Sequence, residues 1–305
     1  MKLFKRPLLA YVIVTVFYFA LVILLPANHR ALAAYNISPL QYHTILFLAV
    51  VPYIGIWFAA FYGFGKLREY AKIISRSAEG EDFHTLANGI KWLAYGLPAT
   101  AIISIILNTI ADHYHRFHST AIISNNYINI LIPLIAFTYL SRGSRNLTER
   151  VKIRLDFSGA KLIMAALAIL GVLYCYFTFR HFDLQSVGST NNPYFIPIWL
   201  MLLTVAIPYL YSWFIGLLAA YEILLYSRQV QGVIYRQALQ FLGLGTVAVI
   251  VSLISLQYTS SIVPRTGFIS LNSILILNYL IRIIEAIGFW LLAVGAKKLK
   301  KIEEV

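Results

Sequence analysis

Charge is scarce in this sequence. Lys, Arg, Asp and Glu together make up 12% of its 305 residues, about half the share of a soluble domain. With 60% hydrophobic residues, the chain has too few polar side chains to cover a water-facing surface. That excludes a soluble enzyme of this length, and the same apolar content excludes native disorder. Cysteine is nearly missing: the single Cys175, inside an apolar run, allows no internal disulfide and no Cys-based metal site. No GxSxG, HExxH, Walker A or Rossmann glycine pattern occurs, so no motif argues for an enzyme. What remains is an all-α, polytopic integral membrane protein.

A membrane helix needs about 20 mostly apolar residues. Eight segments qualify: 7–25, 42–65, 92–111, 120–140, 160–179, 194–226, 238–257 and 271–295. The sixth, at 33 residues, would be about 50 Å long. It is expected to tilt or to run on past the bilayer. Lys2, Lys5 and Arg6 before an apolar run suggest a signal peptide, but Pro7 to Leu25 outruns an h-region of about 7–15 residues. The segment reads as a retained first helix.

The net charge of +13 is a matter of topology. Twenty of the 25 Lys and Arg fall at the termini and in even-numbered connections. Four lie in odd-numbered ones (Arg30, Arg116, Arg180, Arg265), and Arg282 is inside a span. The positive-inside rule then places both termini in the cytoplasm of a cell bounded by a plasma or cytoplasmic membrane. Anionic headgroups are natural partners for that basic side, and nucleic acid is not expected.

The chain reads as an internal duplication. Val51-Pro52-Tyr53-Ile54-Gly55-Ile56-Trp57-Phe58 recurs as Ile207-Pro208-Tyr209-Leu210-Tyr211-Ser212-Trp213-Phe214, an offset of 156 that also pairs Tyr70 with Tyr226. Spans four and eight align at offset 152, pairing Asn126 with Asn278, Phe137 with Phe289 and Gly143 with Gly295. Two four-helix repeats, 1–158 and 159–305, with an even span count each, would be parallel and related by a pseudo-two-fold axis along the membrane normal. The second cytoplasmic connection of the first half reads as about nine residues longer than its counterpart, with the extra piece around Ser77 to Asp82.

Pro52 and Pro208 fall in mid-span, and each would free the carbonyl four residues earlier, at Leu48 and Thr204. Asn278, Arg282 and Glu285, at i, i+4 and i+7, share one face of the eighth span. An unpaired Arg at mid-membrane costs about 2.5–3.5 kcal/mol, so the pair is expected to face the protein interior. The first half carries Ile130 and Pro133 at these positions but shares Asn126. Glu222 reads as an interfacial carboxylate near Arg228. Asp112, His113, His115 and His118, with His43, form an outer cluster that could hold a metal; an aromatic belt explains the same run. The four-plus-four plan resembles that of heme A synthases, which place heme-ligating histidines inside spans of both halves. No span interior here holds one, so no cofactor is expected.

Three functions fit. The first is a small-molecule or ion permease, or a permease subunit, whose site between the halves is lined by Asn126, Asn278, Arg282, Glu285 and the backbone near Pro52 and Pro208. The second is a non-catalytic sensor or assembly subunit that meets a membrane-protein partner through cytoplasmic loops 66–91 and 141–161. The third is a membrane enzyme using the outer histidines. The expectation is a non-enzyme.

Overall fold

The computed structural model of the chain describes residues 6–24, 39–113, 118–151, 207–261 and 271–302, with Leu162, Ala165 and Ile169. Among the described residues there are seven helices and no strand: α1 (Pro7–Leu24), α2 (Pro39–Ile73), α3 (Ala78–His113), α4 (His118–Arg150), α5 (Ile207–Gln229), α6 (Val233–Ser261) and α7 (Leu271–Ile302). Four of them contain stretches long and apolar enough to cross a membrane: Glu79–Leu107, Ile207–Gln229, Val233–Leu256 and Ile276–Ile302. Apart from Leu162, Ala165 and Ile169, the expected span 160–179 lies outside the described residues, as does the 194–206 part of the expected span 194–226.

Several helices run well past the expected spans, and the charges explain why. Lys72, Arg150, Arg228, Lys300 and Lys301 occupy last turns, where the negative end of the helix dipole favours a cation. Glu79 and Glu81 occupy the first turn of α3, where the positive end favours an acid. Residues that read as an acidic loop are therefore the opening turn of a helix. This overturns the expected long connection. Residues 74–77 join α2 to α3, and 230–232 join α5 to α6, so the two links differ little in length. Gly232 makes the second link possible, with a φ of +97° that a side chain would strain.

Six helices close a ring in the order α2, α3, α4, α5, α6, α7 and back to α2, while α1 packs outside against α2 and α3. Side-chain contacts fix the directions. Arg150 at the end of α4 meets Asp82 at the start of α3. Tyr226 at the end of α5 and Tyr235 at the start of α6 meet Glu79. Lys300 at the end of α7 meets Glu69 near the end of α2 at 2.9 Å. These contacts share one end of the molecule, which is also the basic end. Pro7, against Gly65, brings the start of α1 there as well. Neighbours in the ring are antiparallel except at two contacts, α4 with α5 and α7 with α2, which are parallel.

Small residues set the spacing, as they do where lipid supplies no hydrophobic drive between helices. A Cβ on Gly89 would stand 2.8 Å from the Ala136 carbonyl oxygen, and one on Gly245 would stand 2.7 Å from that of Gly288. A Cβ on Gly143 would meet the Asp82 carbonyl at 2.9 Å, and one on Gly295 the Ala238 carbonyl at 2.7 Å. The two contacts of each kind sit in α3/α4 and in α6/α7. Around them Trp57, Phe61, Phe83, Phe137 and Phe289 are fully buried.

Two predictions follow from this packing. Gly89→Val and Gly245→Val should each destabilise the protein by about 1–3 kcal/mol through overpacking, read as earlier unfolding in denaturing detergent. Gly55→Ala should cost nothing, because its Cβ would meet no atom within 4 Å. The Glu69 contact makes a separate, pH-dependent prediction. Partial burial raises its carboxyl, but hydrogen bonds from Lys300 and Lys66 outweigh that and leave it below the ordinary carboxylate value. The associated stability should therefore be present above the unfolded-state value and fade as pH falls through the lower folded one. Glu69→Gln should flatten that acid limb in a pH series of melting curves, by a small amount because the side chain is half exposed.

Candidate functional site

The charges of the eighth predicted span meet the first half of the chain. In α7, Glu285 takes its place on the buried stripe with Ile281, Phe289 and Leu292. Its carboxylate is 1% exposed and accepts a hydrogen bond from Arg282 Nη1, one turn earlier. Arg282, 24% exposed, leans toward α2, where its guanidinium carbon lies 4.6 Å from the centre of the Tyr53 ring. Tyr53 stands beside Pro52 and belongs to an aromatic cluster. Its ring lies 5.8 Å from Tyr18 of α1 and 5.5 Å from Trp57, and Tyr18 and Trp57 are 4.9 Å apart. The cation thus has a carboxylate on one side and a π face on the other, which together offset its removal from water.

The parallel contact on the opposite side of the ring, α4 with α5, has no such charge pair among the described residues. Ile130 and Pro133, which align with Arg282 and Glu285, are both buried there. The aromatic motif persists, with Tyr209 and Trp213 at 5.7 Å. This interface carries instead the carboxyl of Glu222, fully buried against α4. Its Oε2 accepts a hydrogen bond from Ser144 Oγ, and its Oε1 is buried with no hydrogen-bond partner among the described residues. The expected interfacial position near Arg228 is overturned: Glu222 lies on the buried stripe of Ile215, Ala219 and Tyr226, whereas Arg228 is exposed. The i, i+3, i+4 spacing of that stripe was legible in the sequence, and it outranks nearness to a helix end.

A third cluster closes the basic end. Glu79 Oε1 and Oε2 accept hydrogen bonds from Tyr226 at 3.0 Å and Tyr235 at 3.1 Å. Tyr70 hydrogen-bonds Tyr235 and stacks edge-on against Phe83 at 5.0 Å. Side chains of α2, α3, α5 and α6 therefore converge across the ring. Asp82, 1% exposed, is held by Asn146 at 3.0 Å and by Arg150. The carboxylate's hydrogen bond and charge push the Arg150 guanidinium above its usual value. Two of the acids of this connection, Glu79 and Asp82, are thus engaged within the fold, while Glu81 is exposed.

The other expected site residues divide as follows. Asn278 is half-buried one turn before Arg282 in α7. Pro52 lies inside α2, which continues unbroken through it, beside a groove of about 390 Å³. That groove is apolar, lined by Val51, Gly55, Ile283, Ile287 and Trp290 among others, and contains neither Arg282 nor Glu285. Pro208 is the second residue of α5 as described, and Thr204 lies outside the described residues. The side chains of Asn126, His43, Asp112, His113, His115 and His118 also lie outside them. Among the described residues no group of three His, Cys, Asp or Glu side chains is placed to hold a metal.

Removing one member of the α7 pair should be worse than removing both. Arg282→Met leaves Glu285 buried and unpaired and should cost about 3–5 kcal/mol, whereas Arg282→Met/Glu285→Met should recover most of it. Unfolding of the purified variants in mixed detergent measures both. No known protein family, curated protein or solved structure matches the chain.

Proposed function

We propose that this protein is a small-molecule or ion permease, or a subunit of one, with its site at mid-membrane between two repeats. One observation carries the reading. The buried Arg282–Glu285 pair sits where a helix of the second half meets Tyr53 and Pro52 of the first. Intramembrane charge is expensive and normally marks a pathway or a site. The equivalent contact manages without it, so the scaffold has no structural need of it there.

The two-repeat, eight-span arrangement belongs to this proposal. The glycine contacts support it, because Gly89–Ala136 and Gly245–Gly288 correspond at offsets 156 and 152. Gly143–Asp82 and Gly295–Ala238 correspond at the same two offsets. At the basic end, Tyr70 aligns with Tyr226 and Glu79 with Tyr235. The Tyr226–Glu79 and Tyr70–Tyr235 contacts are then two-fold mates, and a pseudo-two-fold axis runs through the cluster. The chain also ends α4 at the basic end and begins α5 at the other. We assign the crossing between them to the expected span 160–179, which brings the proposed total to eight. Both termini and the basic end are assigned to the cytoplasm, and the Tyr70–Glu79–Tyr226–Tyr235 cluster is assigned as the closed inner mouth of the pathway. No catalytic role is assigned.

A second reading, an assembly subunit, draws on the exposed basic rim of Lys72, Arg76, Lys91, Arg142 and Arg145. An acidic membrane-protein partner at loops 66–91 and 141–161 would fit it. Recovery of a stoichiometric partner that is lost when these five are neutralised would favour this reading.

Uptake by proteoliposomes, screened with pooled labelled solutes, tests the first reading. The wild type should accumulate at least one solute. Arg282→Met/Glu285→Met should stay folded and lose at least tenfold of that uptake, and a double variant that transports as well as wild type would refute the site. Tyr226→Phe/Tyr235→Phe should keep the rings and loosen the inner mouth, read as faster alkylation of a cysteine placed at Thr246 by a membrane-impermeant reagent added from the basic side.

A further inference from the structure

We propose that Glu222 and Ser144 form a proton-binding site one helical turn inside the closed mouth, with Glu222 carrying an exchangeable proton. The position follows from the helix: Glu222 precedes Tyr226 by four residues and lies on the same buried face of α5. It is 0% exposed, and among the described residues no Lys or Arg lies within ion-pairing distance of it. From α4, Arg145 and Glu149 act on it only through space and with opposite signs. On α5 itself Arg228 is exposed, and so is Arg236 on α6. A bare carboxylate in such surroundings is several kcal/mol out of place.

The hydrogen-bond geometry has room for that proton. Ser144 Oγ lies within bonding distance of two acceptors, the Ser141 carbonyl at 3.0 Å and Glu222 Oε2. A hydroxyl has one proton to give. If Glu222 is ionised, Ser144 serves the carboxylate and the Ser141 carbonyl loses its side-chain partner. If Glu222 is protonated, its own O–H donates to Ser144 Oγ, and Ser144 donates on to Ser141. Every hydrogen atom in that chain then has an acceptor. Loss of the Glu222 proton to water rotates the Ser144 hydroxyl by one partner and leaves a negative charge at the α4/α5 contact, one of the two contacts between the proposed halves. The opposite contact keeps its carboxylate neutralised by Arg282, so only one of the two interfaces changes charge. The site stands on burial and hydrogen-bond count; its use for driving solute movement rests on the permease reading.

Infrared spectroscopy of the full-length protein in lipid tests the site directly. Wild type should show a protonated-carboxyl C=O band that Glu222→Gln removes, that Ser144→Ala shifts in frequency, and that bleaches as the pH is raised. Circular dichroism and size-exclusion profiles confirm that both variants are folded. A carboxyl C=O region identical in wild type and Glu222→Gln would overturn the proposal. So would a Glu222 band that never changes across the whole pH range in which the protein stays folded. Proteoliposomes under an imposed pH gradient separate the two ideas. A titrating Glu222 band with no gradient-driven uptake of any solute leaves the site standing and removes the permease reading. Uptake without the band does the reverse.

Discussion

A membrane helix that carries an arginine and a glutamate must wall them in. This requirement is met where α7 packs on α2. Glu285 turns inward on α7 and Arg282 turns sideways onto Tyr53, so the α7/α2 contact has to enclose both. That contact joins the last described helix to the second and closes the six-helix circle. The opposite junction, α4 with α5, closes by apolar packing around Ile130 and Phe137, with Glu222 as its single acid. One scaffold thus has two geometrically similar joints with different electrostatics. The first is a neutralised pair. The second is a lone carboxyl that can gain or lose charge.

Charge placement also explains the two ends of the molecule. Four helices finish at the basic end and two ring helices begin there. Lys and Arg at the finishing ends, with Glu79 and Glu81 at the start of α3, complement the helix dipoles. The same distribution is the topological signal of the positive-inside rule. Glu79 then does a second task, gathering Tyr226 and Tyr235 across the ring. The positive rim outside and the tyrosine cluster inside are therefore parts of one arrangement, in which Glu69, Glu79, Asp82 and Glu285 are each engaged by a basic or hydroxyl partner.

Much of this was legible in the sequence, for reasons that can be named. Long apolar runs and the scarcity of charge identify membrane helices. The i, i+3 spacing of Arg282 and Glu285 announces their pairing. The proposed repeat rests on residues whose chemistry is hard to match by chance, such as Pro52, Trp57 and Gly143. Helix ends were not legible, because Ser77-Ala78-Glu79-Gly80-Glu81-Asp82 has the composition of a loop and becomes a helix only when its acids find Tyr226, Asn146 and Arg150. Glu222 was misjudged by its distance from the helix end, when its angular position on the stripe decided its burial. The Tyr53 face under Arg282 was beyond reach, since nothing in a sequence says which helix a cation will lean on.

The central proposal is that two halves meet around an axis through the Tyr70–Glu79–Tyr226–Tyr235 cluster, and that an unpaired charge on Glu222, buried at the α4/α5 joint, drives them apart there. Pulsed electron spin resonance tests it most directly, with labels at Arg76 and Arg228 in a Cys175→Ser background. Both sites are exposed and lie on opposite halves at the basic end. The account predicts one narrow distance distribution at acid pH and a second, longer population as the pH rises, with Glu222→Gln held in the narrow state at every pH. A single distribution that neither pH nor Glu222→Gln alters would contradict it.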